Sequence, residues 1–472
     1  MKLNRILLLL FSCILVADSL NIVVYILLVG KSHLQFISTL ADKLVARGHN
    51  DFIITRFNSD VQSNGTKSAR RVVSVEWPGG VSPWNSGADH LTDPFEESIS
   101  WNPFKRPFAL FVEINDKFCD VVLDSPDVDH LLRNNKYDIA LINSYDFCGY
   151  ALAHHYGIES VVSFAATPSS KLSVVHSGMP ELPIYENMII DVHPFLDRNY
   201  FFSRVFETIR SLTDAYNHYI GIEETNRKFR AKFGADFPDV RDLAADSALD
   251  FTNANPLLDE PRPLPPKVHY IGGVGLPKPK NLPEELDRIL DISKRGTVIF
   301  SFGTQVPAKN IPRWFIDNFA AAAQSFPEFT FLWKLDSHAK HNSRRAVSLG
   351  TGVVLRKSEL TTANLREALR KILHEPSFMN RAHEIASILK NNPNDPERIF
   401  VEGVEYAAMH KNIHLHLTPS GARQPYLVAL GWDVVIFLSF VAMLSAIILF
   451  SISIVIFRFL KGVVRIQKMK VD

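Results

Sequence analysis

Residues Ile22 to Phe57 read IVVYILLVGKSHLQFISTLADKLVARGHNDFIITRF, a strand, a turn, a helix and a second strand in one unit. Ile22 to Val29 is almost wholly aliphatic, which suits a strand buried on both faces of a parallel sheet better than a half-exposed antiparallel one. Gly30 and Lys31 make the turn. Ser32 stands where an N-cap belongs, and Gln35 three residues on completes a capping box, so the spacing predicts a helix from His33. Ile37, Leu40, Ala41, Leu44 and Val45 form its apolar face, Gly48 ends it, and Phe52 to Phe57 returns as a strand. His33 thereby falls at the carboxyl end of the first strand, where open parallel sheets present their ligand crevices. The positive end of the helix dipole disfavours an imidazolium there, and a neutral histidine at a crevice is a candidate general base. A packed or surface histidine at a helix start satisfies the same pattern.

Outward from this unit the alternation continues. Val72 to Glu76 reads as a short strand and Trp77 to Pro94 as a polar loop, followed by helical patterns over Pro107 to Val122 and Val128 to Asn134. Asp138 to Ile142 is another buried strand whose carboxyl end delivers Asn143, Ser144, Tyr145 and Asp146. Phe147 to Tyr156 is helical, Gly157 stops it, and Ser160 to Phe164 is the next strand. Such alternation predicts a doubly wound α/β sheet. Asp146 or Asn143 can then face the crevice that His33 faces, where a carboxylate would fix the imidazole tautomer and stabilise its cation. The alternative for Asp146 is to cap the helix that follows it. Phe201 to Phe233 reads as long helical material with room for a break, and the prolines crowded between Pro256 and Pro283 mark a domain linker.

A second unit starts with the strand Thr297 to Phe302, which ends in Gly303, Thr304 and Gln305 before a helix to about Phe326. Glycine and hydroxyl at a strand-to-helix turn suit a diphosphate, because backbone amides point at the anion. Phe329 to Lys334 is the next strand and Gly352 to Leu355 a further short one, after which helices run from Ala363 to about His410. Three strands are too few for a comfortable doubly wound domain. Something is missing between Lys334 and Gly352.

The chain's 472 residues, net charge of +1 and three cysteines predict about two to three domains, no basic face for nucleic acid and no zinc-type ligand spacing. Lys2 and Arg5, the apolar Ile6 to Val16 and the small residues Ala17 and Ser19 match a cleaved signal peptide over residues 1–19. Val434 to Phe457 is an uncharged apolar run long enough to cross a bilayer, and Arg458, Lys461, Arg465, Lys468 and Lys470 follow it. By the positive-inside rule residues 458–472 form a cytosolic tail and the body is luminal, a single-pass type I arrangement. Lys468 to Asp472 is similar to a dilysine retrieval signal of the endoplasmic reticulum; a tail that merely obeys the charge rule has the same composition. Asn64, Gly65 and Thr66 form a glycosylation sequon. Cys119 and Cys148 either pair in an oxidising lumen or stay free and buried.

These residues together resemble the membrane-anchored UDP-glucuronosyltransferases, the nematode members most of all. The likeness covers the signal peptide, the turn Gly30 to Phe36 with His33, the segments Tyr137 to Cys148 and Tyr270 to Gly275, the strand Val298 to Thr304, and the final anchor with its basic tail. It implies two facing Rossmann-like domains of the GT-B type: an acceptor-binding domain over 20–278 and a shortened UDP-sugar-binding domain with a return helix over 279–433, followed by the membrane helix 434–457. It also implies transfer of glucuronate or glucose from a UDP-sugar, a co-substrate rather than a cofactor, to a hydroxyl of a small lipophilic acceptor. Inversion at the anomeric carbon, His33 as base, no metal, and association with family members in an oligomer belong to the same expectation. Two departures stand out. The family's partner acid matches Asn143, so that Asp146 would have to substitute. The Trp-x-Pro-Gln, His-Gly-Gly and Asp-Gln segments that hold uracil, diphosphate and sugar are absent, and Asn342 to Gly352 matches only the close of that block. A non-catalytic, membrane-tethered member that has lost donor binding is the alternative.

Overall fold

The computed structural model describes residues 19–26, 31–57, 66–76, 109–167, 177, 201–259, 263–276, 280–301, 311–334, 349–355, 359–429 and 431–468. The expected signal peptide except Ser19, Asn64, and the turn Gly303, Thr304 and Gln305 fall outside the described residues, as does the loop Trp77 to Pro94.

The strands β1 (Asn21–Ile26), β2 (Asn50–Phe57), β3 (Arg71–Glu76), β4 (Ile139–Asn143), β5 (Val161–Ala165), β6 (Leu249–Thr252) and β7 (Val268–Tyr270) form a sheet in the order β3-β2-β1-β4-β5-β6-β7. Every pairing in it is parallel. The aliphatic β1 is buried from Ile22 to Ile26 because both faces are covered. Helix α1 (Lys31–Arg47) packs Leu34, Ile37, Leu40, Ala41 and Leu44 against Ile22, Val24 and Ile26 on one face. On the other face α2 (Ala109–Leu123), α3 (Pro126–Arg133), α4 (Phe147–His155), α5 (Phe201–Phe233) and α6 (Val240–Ala245) cover Val23, Tyr25, Ala140 and Ile142. Gly149 lets α4 approach closely, since a Cβ there would lie 2.7 Å from Ile142 and 2.8 Å from Tyr25. Cys119 and Cys148 are joined in a disulfide with Cα atoms 5.7 Å apart, tying α2 to α4.

Three expectations need correction. Helix α1 begins at Lys31, so Ser32 lies within the first turn rather than capping it. The long helix α5 is unbroken. The proline-rich stretch 256–283 is not all linker: β7 pairs with β6, and Lys267, Ile271 and Val274 are buried beside it. The prolines bracket a short edge strand, where a missing amide donor is tolerated.

Further along come α7 (Glu284–Asp291), β8 (Thr297–Ser301), α8 (Arg313–Ala323), β9 (Thr330–Lys334), α9 (Thr362–His374) and α10 (Pro376–Lys390). β8 and β9 make a parallel two-stranded sheet, packed through Phe300 and Trp333 on Phe315 and Phe319 of α8. Gly352 to Leu355 is not a strand; Leu355 packs beside Phe319 and Leu365 instead. In the small sheet Ile299 is 72% exposed.

Helix α11 (Pro396–Met409) returns to the large sheet and fills the α1 side of its core with Phe400, Val401, Val404, Ala407 and Ala408. Ion pairs Lys43–Glu397 at 2.6 Å and Arg47–Glu405 at 2.9 Å fasten it to α1. The compact body ends at Pro419. After the short helices α12 (His414–Leu417) and α13 (Tyr426–Ala429), α14 (Trp432–Lys468) contains Trp432–Arg458, long and apolar enough to cross a membrane.

Candidate active site at the switch point of the sheet

Strand order reverses between β1 and β4, so the carboxyl ends of these two strands define the crevice of the large sheet. The chain leaves β1 toward α1, whose third residue is His33, and leaves β4 through Asn143, Ser144, Tyr145 and Asp146. His33 is partly buried, and burial lowers its pKa to about 4, so the ring is neutral at physiological pH. Its ring lies against that of Tyr145, with centroids 6.4 Å apart. The two sequence elements flanking the crevice are thus brought together.

The turn after β4 is held rigidly. Ser144 donates its amide to Phe164 at 2.9 Å, Tyr145 donates its amide to Asn143 Oδ1 at 3.0 Å, and Asn115 donates to the Tyr145 carbonyl at 2.9 Å. The Tyr145 hydroxyl bonds to Thr167. Sequence analysis placed Tyr145 at this strand end without a role and did not single out Thr167; a tyrosine two residues before a helix gives no pattern that separates a site residue from a core one.

Asn143 and Asp146 part company. Along β4 the side chains alternate, Ile139 and Leu141 toward α1, Ala140 and Ile142 toward α4, which places Asn143 on the α1 side. Its Nδ2 is buried with no hydrogen-bond partner among the described residues. Asp146 caps α4, accepting from the Cys148 amide at 2.9 Å, and its carboxyl lies beside the Tyr25 phenol on the opposite face. Burial pushes its pKa up to about 6, against the pull of the Cys148 amide and Tyr25. The helix cap is therefore the role in which the structure displays Asp146, and the residue sharing a face with α1 is Asn143. No cluster of histidine, cysteine, aspartate and glutamate suited to a metal ion occurs among the described residues.

A crevice of this kind, in a seven-stranded parallel sheet followed by a second parallel unit and a return helix, is the architecture of GT-B glycosyltransferases. The chain superimposes on the crystal structure of CalG4, the calicheamicin glycosyltransferase, with a TM-score of 0.50 and 15% sequence identity, over 83% of this chain and 98% of that one. Within that fold the chain belongs to the family described as "UDP-glucoronosyl and UDP-glucosyl transferase", which matches residues 23–342 and 337–468. It is 23% identical to UDP-glucosyltransferase 2 of Dactylopius coccus over 87% of this chain and 88% of that protein. It is 24% identical to 2-hydroxyacylsphingosine 1-beta-galactosyltransferase of Rattus norvegicus, over 86% and 83%. The family match falls into two segments that overlap at residues 337–342.

Proposed function

We propose that the crevice serves inverting transfer of a sugar, glucuronate or glucose, from UDP to a hydroxyl of a small lipophilic acceptor, with His33 as the general base. The neutral His33 beside Tyr145 at the switch point carries this reading. The imidazole takes the proton of the acceptor hydroxyl, the oxygen attacks the anomeric carbon, and the bond to the UDP oxygen breaks on the opposite side. Charge on the leaving diphosphate would be met by the amides of Gly303, Thr304 and Gln305. The lipophilic acceptor accords with the sphingolipid in the name of the rat relative. The disulfide accords with a luminal body in the endoplasmic reticulum below a C-terminal anchor.

Three observations favour a second reading, a tethered acceptor-binding member that no longer binds donor. The second sheet has two strands among the described residues, the family match falls into two segments that overlap at 337–342, and the resemblance puts Asn143 where the family has its partner acid. An amide cannot lift the pKa of His33 as a carboxylate does, and a base near 4 is poorly matched to neutral pH. The missing uracil stack and phosphate bonds are each worth about 1–3 kcal/mol, enough together to carry a micromolar site into the millimolar range. Calorimetry of the full chain in detergent with UDP separates the two. A micromolar Kd supports transfer, and a millimolar or absent signal supports the donor-free reading.

A further inference from the structure

The side-chain amide of Asn143 is fixed in one sense. Its Oδ1 accepts from the Tyr145 amide at 3.0 Å, so the other branch of the side chain is the NH2 group. That Nδ2 is fully buried and has no hydrogen-bond partner among the described residues. A buried N–H left unbonded forfeits the bonds that water gave it in the unfolded chain, and native proteins rarely carry such a loss without a reason. The location of Asn143 supplies one. It is the last residue of β4, where the strand order reverses, and the alternation along the strand puts its side chain on the α1 side, the side of His33. Asp51 is also buried without a hydrogen bond, but it stands at the amino end of β2, paired with Ile22 at the start of β1, and so lies at the other end of the sheet.

We propose that Asn143 is a substrate-binding residue that donates its Nδ2–H to the nucleophilic oxygen of the acceptor. The inference rests on the acceptor site proposed above and gives it a contact that an acid at this place could not make. An ionised carboxylate has no proton to donate and repels charge on that oxygen. Asp146, turned to the opposite face to cap α4, adds no such repulsion from the same turn. In the transfer step the O–H proton passes to the His33 ring, the oxygen bonds to the anomeric carbon, and the electron pair of the broken C–O bond leaves with UDP. Negative charge gathers on the oxygen as its proton departs, and a donor already in place stabilises that charge without reorganising. A weak base is thereby matched by a more acidic nucleophile, and the acceptors favoured are those whose hydroxyl ionises readily.

The probe is para-nitrophenol at a mildly alkaline pH that ionises it, and its control is para-nitrotoluene, with a methyl group in place of the hydroxyl. Each is titrated into the full chain in detergent, its histidine rings labelled for NMR, with the His33 resonance identified by its loss in His33→Gln. Saturation with either probe should shift that resonance. Asn143→Ala should bind para-nitrophenolate roughly ten to a hundred times more weakly than the parent, the worth of one hydrogen bond to a charged group. Asn143→Asp, which keeps an oxygen for the Tyr145 amide, should bind it more weakly still through repulsion. All three chains should hold para-nitrotoluene alike. A His33 resonance that neither probe moves overturns the acceptor site and the proposal together. A moved resonance with para-nitrophenolate affinity unchanged in both variants overturns the proposal alone. Equal loss of both probes in the variants does the same, by making Asn143 a packing residue.

Discussion

Replacing Phe400 by alanine should weaken the large sheet, although Phe400 stands far from it in the sequence. Its ring is fully buried and meets Phe251 of β6 edge to face at 5.2 Å, with Val404 and Val401 beside it. Gly403 permits the approach, since a Cβ there would stand 2.7 Å from the Phe251 ring. Removing a buried phenylalanine costs about 3–5 kcal/mol, of which the ring pair accounts for roughly 0.5–1.5. A domain with a total stability of about 5–15 kcal/mol loses a large part of it. Native-state hydrogen exchange of the full chain in detergent reads the loss where it is claimed, at the amides of Ile139–Asn143 and Val161–Ala165. Those amides should exchange roughly a hundred to several thousand times faster, by the same free energy. A change of less than about fivefold would mean that α11 merely rests on the sheet and does not complete its core.

The buried Lys267 bonds to the carbonyls of Ala245 at 3.0 Å and Ser247 at 3.3 Å and lies 3.7 Å from Asp250, so Lys267→Met should cost about 3–5 kcal/mol and a paired Asp250→Asn should recover part of it. Denaturant unfolding measures both, and a neutral single variant would show the pair to be idle. Cys119→Ser opens a loop with a sequence separation of 29 and should cost about 3 kcal/mol by the same measurement. The His33 ring should titrate by NMR near pH 4 against an unfolded value of 6.5. Because the folded value is the lower one, its contribution to stability is complete above pH 6.5 and drains away as pH falls toward 4. Asn143→Asp should raise that titration by about 1–3 units, and an unmoved His33 would show that position 143 does not face it. In a form that carries the donor block, His33→Ala should lower kcat by about a hundred to ten thousandfold while acceptor affinity persists; a variant that keeps most of its rate makes His33 structural.

The elements whose partners are near in sequence were legible. β1, α1 and β4 announce themselves because an unbroken aliphatic run and a 3.6-residue period are local signals. β6, four residues long, and β7, set among prolines, were not foreseen as strands, because only the pairing of β6 with β5 and of β7 with β6 makes them so. The site was half legible. His33 follows from the turn after β1, but the division between Asn143 and Asp146 depends on which way a five-residue strand presents its faces, and an aspartate before a helix reads equally as a cap. The disulfide was open for the same reason: pairing requires α2 and α4 to cross the same face of the sheet.

The return of α11 to the first sheet also sets a clock. A ribosome that has finished β5 must still add the residues up to Met409 before the α1 side of the core can close, roughly ten to fifty seconds at ordinary rates of synthesis. Through that interval the faces of β1, β5 and β6 that await Phe400 and Val404 stay open to holding chaperones and to misassembly. Trp432, the first residue of the apolar span, follows Met409 closely in the chain. Completion of the body and delivery of the anchor to the membrane are therefore nearly simultaneous events in the life of the nascent chain.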